Sequence, residues 1–135
     1  MYIIIIGCGR LGSTLAAELA DAGYNVAVID NDSKKLDALG SGFNGLRVKG
    51  IVYDNSALKE ANISRATCVV AVTPDDNLNI TASLIAKNIF KVRRVIARIN
   101  DPSKKDVYKV LDIETINPTE LISYIIKSKI EGDPK

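Results

Sequence analysis

The sequence predicts an α/β fold, an open, doubly wound parallel sheet of six strands in the order 3-2-1-4-5-6 with helices on both faces. Three observations predict it. Strand-like and helix-like segments alternate from one end of the chain to the other. The segments Ile3 to Ile6 and Thr67 to Val72 are almost unbroken apolar runs, as in strands covered on both faces, where a half-exposed strand would alternate. The first of them runs into Gly7-Cys8-Gly9-Arg10-Leu11-Gly12, a glycine turn that opens a helix.

Tyr2 to Ile6 is the first strand. Leu11 to Ala22 follows as a helix, with Leu11, Leu15 and Leu19 at helical spacing and Gly23 as its stop. Asn25 to Asp30 is the second strand, polar at its start and apolar through its middle. Ser33 to Leu39 is a short helix capped by Asp32 or Ser33, and Leu46 to Lys49 a short third strand beyond the loop Ser41 to Gly45. Ser56 to Ala61, opened by Ser56 or Asn55, precedes the buried fourth strand, Thr67 to Val72. Asp76 to Phe90 reads as one long helix, Arg94 to Arg98 as the fifth strand and Pro102 to Leu111 as a helix. Glu114 to Ile116 is the sixth strand and Thr119 to Ile130 the last helix. One domain over residues 1–131 is expected, with Gly132-Asp133-Pro134-Lys135 as a frayed, disordered tail.

Composition excludes several function classes. A net charge of +2 with 25% charged residues is no footprint for nucleic acid, and none is expected as a partner. No apolar run approaches the ~20 residues that span a bilayer. Cys8 and Cys68 lack metal-ligand spacing, so no metal site is expected, and two cysteines in such a chain point to a reducing cytoplasm. There is no histidine, so the commonest general acid–base side chain is missing.

The glycine turn carries the chemistry. Gly7 permits the tight turn off the strand, Gly9 lets a pyrophosphate approach the backbone, and Gly12 lets the helix pack closely on the strand. The helix N-terminus, with its free N–H groups and positive dipole end, then faces the phosphates. Asp30 ends the second strand 18 residues beyond Gly12, the place of a carboxylate that accepts hydrogen bonds from adenosine ribose hydroxyls. It would repel a 2′-phosphate, which disfavours NADP although Lys34 and Lys35 lie nearby. The bland alternative is a plain βα turn and an ordinary strand-end Asp.

In such a sheet, ligands sit beyond the carboxyl ends of the strands where the strand order reverses. That selects Gly7 to Leu11, Asp30 and Asn31, Ile51, Thr73 and Arg98. Arg10 either reaches the phosphates or stands in solvent at a helix start, where a cation is mildly unfavourable. Thr73 either faces the ligand or merely ends its strand, and Arg98 either reaches a phosphate or pairs with Asp101 or Asp75. Asp76 is expected to cap the helix that follows, which leaves Asp75 and the first-turn Asn79 as candidates for the site. Cys8 is either a thiol activated by the helix N-terminus or a small side chain in a permissive loop. Leu84, Ile85, Ile89 and Phe90 cannot all touch one sheet, and the last helix offers Leu121, Ile122, Ile125, Ile126 and Ile130; both helices read as homo-oligomer contacts or as deeply buried.

The second half adds a resemblance. Ser56-Ala57-Leu58-Lys59-Glu60-Ala61-Asn62-Ile63, Val70-Ala71-Val72-Thr73-Pro74-Asp75-Asp76-Asn77-Leu78-Asn79, Ala97-Arg98-Ile99-Asn100-Asp101-Pro102 and Ile116-Asn117-Pro118-Thr119-Glu120-Leu121 follow the glycine turn in order. Together they resemble the Trk/Ktr-type N-terminal (RCK-type) nucleotide-binding domains that regulate potassium transport. The resemblance implies a cytoplasmic regulatory subunit at the inner face of the membrane that binds NAD(H) or an adenine nucleotide. It further implies a homo-oligomer, a dimer or ring, that converts occupancy into the state of a potassium transporter or channel, without catalysis. Two departures stand out. Gly50 is followed by Ile51 where the family has an Asp that helps hold adenine, and Asp54 aligns with a second family Asp that reads as a helix cap.

The expected cofactor-binding set is therefore Gly7, Cys8, Gly9, Arg10, Leu11, Asp30, Asn31, Ile51, Thr73, Asp75, Asn79 and Arg98. NAD(H) is favoured, because only a nicotinamide half needs a groove running past Thr73 and Arg98; ATP, ADP and AMP remain candidates. The alternative is the cofactor half of a small NAD-dependent oxidoreductase. It needs an acid–base residue near the ends of strands 4 and 5, whereas Lys87 and Lys91 fall at the far end of their helix.

Overall fold

A computed structural model describes residues 1–132. Its sheet has six parallel strands in the expected order, β3-β2-β1-β4-β5-β6. The strands are β1 (Tyr2–Ile6), β2 (Asn25–Asp30), β3 (Leu46–Lys49), β4 (Cys68–Ala71), β5 (Arg94–Arg98) and β6 (Glu114–Ile116). The helices are α1 (Arg10–Asp21), α2 (Ser33–Asp37), α3 (Asn55–Glu60), α4 (Asp76–Leu84), α5 (Lys105–Val110) and α6 (Pro118–Gly132). Gly132 thus closes the last helix, while the rest of the expected tail, 133–135, lies outside the described residues.

Alternation along β1 builds two layers at once. Ile3 and Ile5 pack with Val26, Val28, Leu36 and Ala16 under α1 and α2. Ile4 and Ile6 pack on the opposite face with Ile29, Leu58, Val69 and Ala82 under α3 and α4. A third cluster, Ala97, Ile99, Tyr108 and Ile113, continues that second layer beneath α5 with Ile80 and Leu84 of α4. Each buried isoleucine contributes about 1.5–3 kcal/mol, so the centre of the sheet is the most stable part of the molecule.

The long fourth helix differs from expectation. It is α-helical only to Leu84 and continues as a π-turn over Ile85–Ile89. The wider turn brings both Ile85 and Phe90 onto the core, leaving Ile89 exposed among the four apolar residues expected to form a contact. The helix between β5 and α5 is likewise split, beginning as a 3-10 turn at Pro102–Lys104.

Candidate functional site

The carboxyl ends of β2, β3 and β4 open into a groove of about 850 Å³, within the usual range of small-molecule sites. Asp30 and Asn31 line it after β2, Ile51, Val52 and Tyr53 after β3, and Thr73 to Asp76 after β4. Lys35 of α2, Leu78 of α4 and Lys104 of the Pro102–Lys104 turn complete the walls.

The glycine turn is held from two sides. Gly7 has φ +102°, and a Cβ there would sit 2.9 Å from Thr73 Cγ2 and 3.0 Å from Thr73 N. A Cβ on Gly12 would lie 1.9 Å from the carbonyl oxygen of Gly7, so only glycine lets α1 come down on the turn. Gly9 is different. A Cβ there meets nothing within 4 Å, so the protein's own packing does not require that glycine.

Asp30 is 7% exposed and organises the turn. Its Oδ2 accepts the Cys8 N–H at 2.8 Å and its Oδ1 the Asp32 N–H at 2.8 Å. A carboxylate offers about four lone-pair sites, so two remain for hydroxyl donors. Four other helix starts are satisfied internally: Asp32, Asp54, Asp75 and Asp101 accept the first free N–H groups of α2, α3, α4 and the 3-10 turn, which runs on into α5. The start of α1, with Gly9 as its cap residue, has no side-chain cap and no acid in its first turn. Its first-turn N–H groups therefore lack a side-chain acceptor, the condition under which a helix start takes an anion.

Asp54 is a cap, as expected. Asp76 is not: Asp75 takes that place, accepting from Asn77 N and Leu78 N, because it is the residue with extended backbone before the first helical turn. Asp76 instead reaches sideways to Asn100 N at 2.7 Å, Asn100 Nδ2 at 2.9 Å and Asp101 N at 2.9 Å, tying α4 to the loop after β5. Burial pushes the Asp76 carboxyl up, but these hydrogen bonds and the nearby Lys104 more than offset it, and its pKa lies below the ordinary value.

Asn79 is fully buried and spends every polar atom inside the fold. Its Oδ1 accepts from Thr73 N and Oγ1, and its Nδ2 donates to the carbonyls of Thr73 and Arg98, which locks the ends of β4 and β5 together. Arg98 donates through Nε to Asn100 Oδ1 at 2.8 Å, rather than pairing with Asp101 or Asp75, and stands outside the groove walls. Arg10 and Leu11 are exposed on the first turn of α1 and, like Cys8 and Gly9, are not among the residues that line the groove. Cys8 is buried, with its Sγ donating to Lys35 O at 3.3 Å; burial and Asp30 push the thiol up, the reverse of an activated cysteine.

The groove thus gathers Asp30, Asn31, Ile51, Thr73 and Asp75 of the expected set, with Gly7 locked behind Thr73. Tyr53, Leu78 and Lys104 were not expected there. Lys104 follows the Asp101-Pro102 pair at the end of β5, and that position beyond a strand's carboxyl end is the one signal that points to it. Lys87 is far from this chemistry, bound to the carbonyl and carboxylate of Asp112 at the opposite end of the sheet.

Comparison with known proteins agrees with this architecture. The family model of the TrkA-N domain matches residues 3–118. The Trk system potassium uptake protein TrkA of Streptomyces coelicolor is 47% identical over 116 residues, covering 86% of this chain and 52% of that protein. The TrkA homolog of Pyrococcus horikoshii is 31% identical over 137 residues, covering 96% and 60%. The chain spans about half the length of the curated relatives it matches. Among solved structures, the TrkA-N domain of the Escherichia coli inner membrane protein ybaL superposes with a TM-score of 0.86 at 17% identity, covering 96% of each chain. GsuK bound to ADP and the GsuK channel bound to NAD both give 0.79 at 25% identity, covering 97% and 96% of this chain and 34% and 23% of theirs.

Proposed function

The chain belongs to the TrkA-N domain family, and from that premise we propose that it is the nucleotide-sensing domain of a potassium uptake system. The observation that carries the proposal is Gly9, which opens onto empty space at a helix start that has neither a side-chain cap nor an acid in its first turn. A glycine that packing does not need, set where a helix offers free N–H groups, fits a pyrophosphate resting on the backbone. Asp30 then accepts the ribose hydroxyls, Ile51 and Tyr53 flank the base, and Arg10 stands beside the phosphates. Ile51 in place of an acid leaves the base to apolar contact and backbone groups. The ADP and NAD found on GsuK support the same ligand class here.

NAD(H) is the favoured ligand because the groove continues past Thr73 to Leu78 and Lys104, beyond the reach of a mononucleotide whose phosphates lie at Gly9. Adenine mononucleotides use only the first half. The relatives' role in potassium uptake supports a membrane potassium transporter or channel as partner, met at its cytoplasmic side. No helix among the described residues is long and apolar enough to cross a membrane. Occupancy acts by biasing a homo-oligomer between two arrangements, and its pull on the transporter equals the ligand's differential affinity for them. No catalytic step is assigned.

Calorimetric titration with NAD⁺, NADH, NADP⁺, ATP, ADP and AMP tests the proposal. Saturable binding of NAD(H) or an adenine nucleotide, weak for NADP⁺ and lost in Asp30→Ala, is the expected result. Binding of none of the six overturns it.

A further inference from the structure

The groove has a charged end that the nucleotide reading does not use. Beyond Thr73 its walls hold two carboxylates, Asp75 and Asp76, and one cation, Lys104. Both carboxylates have fixed duties: Asp75 caps α4, and Asp76 holds Asn100 and Asp101. Both side chains are thereby fixed in position at this end of the groove. Lys104 is half-buried on the 3-10 turn and close enough to help lower both Asp76 and Asp101. Yet it takes part in none of the ion pairs among the described residues, and its ammonium makes no hydrogen bond there. Arg98 at the end of β5 is turned onto Asn100, and Lys105 pairs with Glu120.

The place of this end along the sheet decides what meets it. The groove is lined by Asp30 after β2, by Thr73 to Asp76 after β4 and by Lys104 beyond β5, and the strand order sets the end of β1, with its glycine turn, between the first two. At ~4.8 Å per strand, the three steps from β2 to β5 span roughly 14 Å. A ligand with its ribose at Asp30 and its phosphates at Gly9 reaches Lys104 only through a second nucleotide half. In a nicotinamide dinucleotide that half ends in a ring bearing a positive charge when oxidised and none when reduced, with a carboxamide oxygen in both forms.

We propose that Lys104 sets which redox form of a nicotinamide dinucleotide the groove prefers, an inference that rests on the nucleotide-binding reading above. Its ammonium donates to the carboxamide oxygen and opposes the charge of the oxidised ring, so it favours NADH. Asp75 and Asp76 pull the other way, towards NAD⁺. Lys104 balances them, and removing its charge leaves the carboxylates to act alone.

The test is calorimetric titration of the intact chain and of Lys104→Met and Lys104→Arg with NAD⁺, NADH and ADP. Methionine keeps the apolar stem and removes the charge; arginine keeps the charge. In Lys104→Met the NADH-to-NAD⁺ affinity ratio is expected to fall by about fivefold or more, the scale of one unit charge at several ångströms in a partly solvated site. ADP affinity stays constant, and Lys104→Arg retains the original ratio. An unchanged ratio in Lys104→Met overturns the inference, as does an equal loss for all three ligands, which marks a merely structural residue. Binding of ADP without either dinucleotide overturns it too while leaving the nucleotide reading intact. Binding of none of the three by the unmodified chain overturns both.

Discussion

Two glycines of one turn do opposite work, and substitution separates them. Gly12 is dictated by packing, since a methyl group there would overlap the Gly7 carbonyl at 1.9 Å. Gly12→Ala forces α1 off the turn and is expected to cost about 3 kcal/mol in urea unfolding. Gly9 has φ −77° and ψ −159°, allowed for any residue, with empty space where the Cβ would go. Gly9→Ala should leave stability unchanged or raise it by about 0.5 kcal/mol, because alanine narrows the unfolded ensemble. The same change places a methyl group where the pyrophosphate rests and is expected to weaken nucleotide binding by about tenfold or more, 1.4 kcal/mol on the affinity scale. Full affinity in Gly9→Ala would remove the observation on which the functional proposal stands.

Among elements, the loop after β5 depends on a carboxylate of α4. Asp76 has its pKa below the ordinary carboxylate value in the folded chain. A group lowered in this direction adds stability above the unfolded pKa, and that contribution is lost as pH falls through the folded one. Asp76→Asn keeps the shape but presents an NH₂ to an N–H, with an expected loss of about 2–3 kcal/mol at pH 7. The gap between the two proteins should narrow as pH drops below about 4, where the unfolded carboxyl takes its proton. Urea melts from pH 7 downward read it directly, and a gap independent of pH would mean that the charge on Asp76 contributes nothing. This tether also marks where the sequence was legible and where it was not. Strand positions and order follow from apolar runs and the glycine turn, which are local patterns. The capping role of Asp75 over Asp76 rests on one residue's backbone geometry, below the resolution of a pattern of two adjacent acids. The π-turn at Ile85–Ile89 has a tertiary cause, since both Ile85 and Phe90 must reach the core, and no local signal encodes it. Site residues that end strands, Asp30 and Thr73, were readable because topology alone points them to the groove. Lys104 sits in a turn whose path has no periodicity, so its position after β5 points to the site in general, while the side chain's place in the wall comes from the folded chain.

At the scale of the whole molecule, α6 is the unbalanced part. None of its residues is buried, and Leu121, Ile122, Tyr124, Ile125, Ile126 and Ile130 are 44–75% exposed. Ile122, Ile126 and Ile130 recur every four residues and line one shallow groove along the helix. A stripe of this kind is stable in water when another surface covers it, and each isoleucine so covered contributes about 1.5–3 kcal/mol. A second copy of the chain meets the requirement with matching stripes, which accords with the proposed homo-oligomer. Sedimentation velocity at micromolar concentration is then expected to give at least twice the 14.6 kDa chain mass. Ile122→Glu with Ile126→Glu should give the monomer. Because α6 contributes no buried residue to its own chain, the double variant should keep its sheet and its nucleotide affinity. Its melting temperature should lose the concentration dependence that an oligomer shows. A monomeric unmodified chain would remove self-association from the sensing scheme, and occupancy would then have to act on the transporter through some other covering of α6.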